Sequence, residues 1–342
     1  MRSAAIRVPR EEGEAVRRIL VARGALRKDL RILATPGRII FPVREPIPEE
    51  IPGERGTEEF PPLSAGASAA RYQDLVAVEE PLRRLLPRSY DVIGDIVLLR
   101  IPSPLLPYRF AIGEALLSFV PGARIVGADR GVHGPDRIRR IERIAGSGPW
   151  RTHHKENGVT ITVDVERAYF SPRLAREHDR VAVQVTDNER VFDLCCGVGP
   201  FSLAIAARGR AREICAVDRN PEAIRCLAAS LEHARGGSRV HAVRGEIAEF
   251  LGAAGRADRA ILNLPHEGVM YLSSVADAVD RDGTIHFYEI VPRSASAQRG
   301  AELVRRISRR GGTWSLRSFR TVHPYSAQQD LVAYDLHRSD RD

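Results

Sequence analysis

Residues 190–209 read RVFDLCCGVGPFSLAIAARG. The apolar, strand-like run RVFDLC meets a glycine loop, and the loop opens a helix-like segment, GPFSLAIAARG. Downstream the chain alternates in the same sense: EICAVD, PEAIRCLAASLEHA, RVHAVRG, a short helix, RAILNLP, then HEGVMYLSSVADAVD and TIHFYEIV. Strict alternation of this kind predicts a parallel sheet with helices on both faces. The end, TWSLRSFRTVHPYSAQQDLVAYDLHR, departs from it and reads as two strands joined by a turn.

An α/β domain of nucleotide-binding type that closes on an antiparallel hairpin is the pattern of the Rossmann-like class I methyltransferases. The expected fold is therefore α/β, with that domain spanning 166–342. Before it, YDVIGDIVLLRIP, ARIVGADRGV and VTITVDV read as strands around a helix at PYRFAIGEALLSFV, which predicts a mixed α/β domain over 72–165. Residues 48–71 are rich in Pro, Gly, Glu and Ser without apolar periodicity and read as a linker. Residues 1–47 read as a small α+β module: EEGEAVRRILVARGAL has helical periodicity ending near Gly24, and RILATPGRIIFPV places two strands around a Pro-Gly turn.

The chain has 342 residues, 43% of them apolar, enough for two or three folded domains. No apolar run approaches the roughly 20 residues of a membrane span. The start, MRSAAIRVPREEGE, carries charge where a signal peptide is apolar. A cytoplasmic protein without a membrane partner is expected. The formal net charge is +8, which suits a polyanionic partner because Lys and Arg neutralising phosphates release condensed counterions. Arginine fills nearly every basic position, Lys28 and Lys155 being the lysines, so coding bias is an alternative source of that charge. Cys195, Cys196, Cys215 and Cys226 lack zinc-site spacing and read as buried thiols, and no metal is expected.

The loop chemistry points to a cofactor. Gly197 and Gly199 let backbone approach a ligand, and Asp218 ends the next strand about 20 residues on, where it can accept from both ribose hydroxyls. Ser202 stands where a dinucleotide site has its third glycine, and Asp193 precedes the loop, where an acidic group favours a cation over phosphate. S-adenosyl-L-methionine, with its sulfonium and ammonium, fits better than NAD. Glu246, after the third strand, can accept from the adenine amino group while Ile247 packs on the ring; a helix cap is the alternative for such a carboxylate. Asn263-Leu-Pro-His266 ends the fourth strand, the edge where open α/β sheets hold ligands. A related Asn-Pro-Pro-aromatic motif serves enzymes that methylate exocyclic amines, but His266 occupies the aromatic slot here.

Together with Tyr169-Phe-Ser-Pro-Arg-Leu-Ala-Arg-Glu177, Lys155-Glu-Asn-Gly, YDVIGDIVLLRIP and the N-terminal VPREEGEAVRRILVARGALRKD, that motif resembles the archaeal and eukaryotic type of tRNA (guanine-37 N1)-methyltransferase across nearly the whole chain. The family usually has Phe-Ala-Gly where this chain has Cys195-Cys196-Gly197, and often Asp at Glu246. The resemblance implies methylation of guanine N1 in tRNA, with the N-terminal module on the outer corner and the other domains on the anticodon loop, the base flipped into the pocket.

Guanine N1 carries a proton, so the reaction needs a base and stabilisation of negative charge on O6. The resemblance implies Glu177 as that base, with a pKa raised toward neutrality where a stacked nucleobase encloses it. Arg137, or alternatively Arg139, would donate to O6, and Asn263 would align guanine and methyl donor. His178 and Arg219 join the cofactor contacts, with arginine more usual than His178 in the family. Tyr169 and Phe201 are candidate aromatic walls, with core packing as the alternative. One chain carries every part of the site, so a monomer is expected. Rival readings are aminocarboxypropyl transfer to a hypermodified tRNA guanine, methylation of an exocyclic amine, a non-catalytic tRNA-binding protein of this fold, and an NAD-dependent oxidoreductase.

Overall fold

The structure is a computed structural model that describes residues 1–339 except 28, 31, 36, 48–49, 62–70, 135–137 and 310. The expected linker therefore lies partly, and Arg137 wholly, outside the described residues. The chain divides into two compact units, Met1–Glu79 with Ser118–Pro121, and Glu80–Leu117 with Gly122–Asp342.

The first unit is an antiparallel sheet with one helix: β1 (Arg2–Pro9), α1 (Gly13–Ala22), β2 (Leu33–Ala34), β3 (Arg38–Val43) and β4 (Glu54–Glu59), in the order β2-β3-β1-β4. Val16 and Leu20, one helical turn apart, bury against Ile6, Val8, Phe41 and Val43. After α1 the chain passes through Gly24 at φ +63°, the left-handed stop the sequence signalled. Two strands differ from the reading. β1 was not anticipated, and β4 falls within the stretch read as linker. The charged run ERGTEE has no apolar alternation. Its strand is held by the backbone ladder to β1 and by Arg7 Nε on Glu58 at 3.1 Å, neither visible to a hydrophobic pattern.

The second unit starts with α2 (Glu80–Arg83), β5 (Asp91–Ile93), β6 (Ile96–Leu99), α3 (Arg109–Phe119, all but its last two residues), β7 (Ile125–His133) and β8 (Ile138–Gly146), whose strands pair β5-β6-β7-β8. YDVIGDIVLLRIP thus splits into a tight hairpin at Gly94, φ +57°. A hairpin of β9 (Arg151–Glu156) and β10 (Val159–Asp164) follows and packs on helices of the larger domain, with the Thr162 amide donating to Ser230 Oγ at 2.8 Å.

The remaining elements are α4 (Ala175–Gln184), β11 (Arg190–Leu194), α5 (Pro200–Arg208), β12 (Glu213–Asp218), α6 (Pro221–Leu231), β13 (Val240–Arg244), α7 (Ile247–Ala253), β14 (Ala257–Leu262), α8 (Gly268–Asp277), β15 (Val279–Pro292), α9 (Ser296–Ser308), β16 (Thr313–Pro324) and β17 (Gln329–Ser339). They form one seven-stranded sheet, β13-β12-β11-β14-β15-β17-β16. The first five strands are parallel; β17 runs antiparallel to β15, and β16 pairs antiparallel with β17. Phe192, Leu194, Ile214, Val217, Ile261 and Phe287 are sealed from solvent, as strands covered on both faces must be. The mostly polar β16 forms one edge. Helix α9 was not anticipated: its mean composition is polar, and only Gly300, Leu303 and Ile307, spaced along one face, are buried. No helix of the described residues is long and apolar enough to cross a membrane.

Candidate active site

The carboxyl ends of β11, β12, β13 and β14 open into one cleft, which encloses about 1140 Å³ counting its mouth. Each strand end contributes a turn there because the sheet reverses its winding between β11 and β14. Cys195, Cys196 and Gly197 come from β11, Asp218 and Arg219 from β12, Glu246 and Ile247 from β13, and Asn263 to Pro265 from β14.

The glycine loop is shaped for close approach. Gly197 and Gly199 sit at φ +57° and +77°, and Cys195, beside them, at +64°. A Cβ on Gly197 would meet only the Tyr169 carbonyl at 3.5 Å, whereas one on Gly199 would sit 2.4 Å from Leu227 Cδ1. Gly197 thus opens toward the cleft and Gly199 supports the packing of α5 on α6. Asp218 Oδ2 accepts from the Gly197 amide at 2.8 Å. Asp193 is fully buried beneath the loop and is not among the residues that line the cleft. Its Oδ2 accepts from Ser202 Oγ at 2.6 Å, while Oδ1 has no partner. Burial pushes its carboxyl up to about 7, against the hydrogen bonds from Ser202. An unpartnered buried carboxylate oxygen under a glycine loop fits a ligand that brings positive charge. Glu246 occupies the N-cap position of α7, but its side chain makes no capping bond, so the cap alternative does not account for it. Burial and the Asp218 and Asp193 carboxylates push the Cys195 thiol up to about 12, leaving a neutral wall.

His178 lines the cleft from α4, its Nδ1 sharing a 2.6 Å hydrogen bond with Glu156 Oε1. Tyr169 lines it too. Phe201 does not: it is a core residue packed against His178 and Tyr288, which settles the wall-or-core alternative for it. His266 is also outside the lining, its ring edge-on to Tyr325 with centroids 5.8 Å apart. Tyr271, His323 and Leu331 line the cleft instead, residues that no motif marked.

The catalytic candidates divide. Asn263 is in the cleft, and Glu177 and Arg139 are not among its lining residues. Arg139 is buried, its Nη1 paired with Asp129 and its Nη2 donating to the Phe170 carbonyl at 3.1 Å, with the guanidinium over the Tyr169 ring. It braces the segment that walls the cleft. Glu177 is buried as expected, but not as an isolated carboxyl awaiting a nucleobase. Arg180 reaches both its oxygens, with Nη2 on Oε1 at 2.6 Å; Tyr288 donates to Oε1 at 2.8 Å and Arg320 Nη1 to Oε2 at 3.3 Å. Asp335 accepts from Arg180 at 2.8 and 3.1 Å, and His286 Nδ1 bonds it at 2.7 Å. Burial opposes the charge of Asp335, yet His286 and Arg180 together hold it well below the usual carboxylate range. Burial likewise keeps His286 below the histidine range, as fits its accepting from Arg259 at Nε2. Arg180 was legible as the i+3 neighbour of Glu177 on a helix. Tyr288, Arg320 and Asp335 come from β15, β16 and β17 and meet Glu177 only through the sheet order.

Comparison with known proteins places this architecture. Residues 152–314 match the TRM5/TYW2 methyltransferase domain, 74–149 the TYW2 N-terminal domain and 5–51 the tRNA methyltransferase 5 N-terminal domain. The chain is 32% identical over 336 residues to the tRNA (guanine(37)-N(1))-methyltransferase Trm5b of Pyrococcus abyssi, covering 97% of this chain and 98% of that protein. It is 30% identical over 248 residues to the tRNA(Phe) (4-demethylwyosine(37)-C(7)) aminocarboxypropyltransferase of Pyrococcus horikoshii, covering 71% and 86%. A solved complex of aTrm5 with tRNALeu superposes with a TM-score of 0.69 at 26% identity, covering 98% of this chain and 99% of that one.

Proposed function

Since the chain belongs to the TRM5/TYW2 methyltransferase family, we propose that it methylates N1 of guanine 37 in tRNA with S-adenosyl-L-methionine. The observation that carries this reading is the likeness to Trm5b over nearly the whole of both chains, N-terminal module included, on a fold whose cleft gathers Gly197, Asp218, Glu246 and Asn263 at one sheet edge. The match of 74–149 to a TYW2 domain favours aminocarboxypropyl transfer as the second reading. Against it stand the first module and the Asn263-Leu-Pro turn at the cleft.

S-adenosylmethionine supplies, when bound, an electrophilic methyl group on a positively charged sulfur. Asp193 would meet its positive charge from beneath the loop, Asp218 its ribose hydroxyls, Glu246 its adenine amino group and Ile247 the ring, with Gly197, Arg219 and His178 completing the pocket and Gly199 shaping the loop behind it. Asn263 aligns the guanine, which enters the cleft flipped from its stack. Glu177 takes the N1 proton as its carboxylate turns from Arg180 toward the base. Arg137 donates to O6; that choice over Arg139 is supported by Arg139 being spent on Asp129 and Phe170. The enzyme works as a monomer in the cytoplasm, on the outer corner and anticodon loop of its tRNA.

Single-turnover methyl transfer to a tRNA transcript tests the roles. Glu177→Gln and Asn263→Ala are each expected to lower the rate by about 100-fold or more while cofactor and tRNA still bind; wild-type rates in both would remove the assignments.

A further inference from the structure

A carboxylate that must accept a proton is here surrounded by positive charge. Arg180 from α4 and Arg320 from β16 both bond Glu177, and both also bond Asp335 from β17, Arg320 Nη2 reaching it at 3.2 Å. Tyr288 from β15 donates to Glu177, and His286 from the same strand backs Asp335, joined in turn to Arg259 and Glu189. Ser318 Oγ donates to Asp335 at 3.0 Å. Around Glu177 the account is thus two carboxylates and two shared guanidiniums, neutral only while Glu177 is ionised.

When Glu177 takes a proton or swings to the base, the two arginines keep one counter-ion, Asp335. It is 5% exposed and bonded on both oxygens, so it stays in place while Glu177 moves. We propose that Asp335 is a positioning residue for proton transfer: it holds Arg180 and Arg320 when Glu177 lets go of them, and it sets how tightly Glu177 holds its proton. This rests on the reading of Glu177 as the base.

Charge gives the proposal a sign that packing alone does not. Asp335→Asn leaves both guanidiniums to bear on Glu177 and removes a neighbouring negative charge, so Glu177 gives up its proton more readily. Arg320→Gln does the reverse, and Arg320 is 31% exposed, a site that tolerates the change. The test is the pH–rate profile of single-turnover methylation for wild type, both variants and Glu177→Gln, with cofactor binding as the check on folding. The acidic limb, where the base must lose its proton, is expected to move down by about one pH unit in Asp335→Asn and up by a similar amount in Arg320→Gln. The Asp335→Asn plateau rate is expected to fall about 10-fold, as a weaker base and a loosened arginine pair require. Limbs that stay put, or move together, in folded variants while Glu177→Gln is inactive overturn the proposal alone. Activity retained in Glu177→Gln overturns the base reading and the proposal with it. If Asp335→Asn does not fold, the direction of the Arg320→Gln limb decides: upward supports the proposal, unmoved or downward overturns it.

Discussion

Asp218 Oδ2 accepts a hydrogen bond from the Gly197 amide at 2.8 Å, so the last residue of β12 fixes the loop that leaves β11. Its other oxygen accepts from the Asn220 amide, also at 2.8 Å, and sets the start of α6. Asp218→Ala removes both charge-assisted bonds and the proposed ribose contact. A bond of that type contributes about 1.5–3 kcal/mol, so cofactor affinity is expected to fall about 10- to 100-fold with tRNA affinity unchanged. Equilibrium dialysis of each ligand checks this, and equal losses for both would point to general unfolding instead.

The two loop glycines are expected to fail in different ways. Gly199→Ala combines a left-handed backbone with a Cβ 2.4 Å from Leu227, inside the core. The two costs together come to about 2–5 kcal/mol of stability, read as a lower urea midpoint. Gly197→Ala has room for its Cβ and incurs only the backbone cost of about 1–2 kcal/mol; its larger effect is on cofactor binding, because the methyl group stands at the cleft.

How much of this was legible in the sequence follows from what each feature rests on. The glycine loop, Asp218, Glu246 and Asn263 were readable because a parallel sheet places every strand end at one edge, and all four line or shape one cleft. Strands β1 and β4 and helix α9 were not, since ERGTEE pairs through backbone and ions and α9 buries only a narrow face. The partners of Glu177 come from positions 288, 320 and 335, which only the antiparallel return of β17 brings beside α4. The placement of Arg139 as a brace, not a cleft donor, depends on Asp129 across the β7–β8 pair, a contact no spacing rule encodes.

Buried Asp193, with its carboxyl raised to about 7, makes cofactor affinity depend on pH. The free folded protein holds a proton that the unfolded chain gives up near pH 4. This group's contribution to stability is therefore lost as pH rises from about 4 to about 7. Binding of a cation favours the ionised form, so the sign for the ligand is opposite: affinity for S-adenosylmethionine is expected to rise about 10-fold between pH 6 and pH 8. Calorimetric titration should show that rise in the wild type and a flat, weaker profile in Asp193→Asn. A wild-type affinity that falls with pH would contradict the assignment.

The two arginine candidates separate by what they hold. Arg139→Ala strips the charged partner from buried Asp129 and is expected to cost about 3–5 kcal/mol, seen as a lower melting temperature. Arg137→Ala is expected to lose about 100-fold in methylation rate. A normal rate in Arg137→Ala would move the O6 contact elsewhere in the cleft.

Transcripts of one tRNA carrying G or A at position 37 are incubated with the protein and labelled S-adenosylmethionine, then digested, and the modified nucleoside is identified by mass spectrometry. 1-Methylguanosine is expected from the G37 transcript and no labelled nucleoside from the A37 transcript. Label at another position, a methyl on an exocyclic amine, or an aminocarboxypropyl adduct in its place would contradict methylation of guanine 37 at N1.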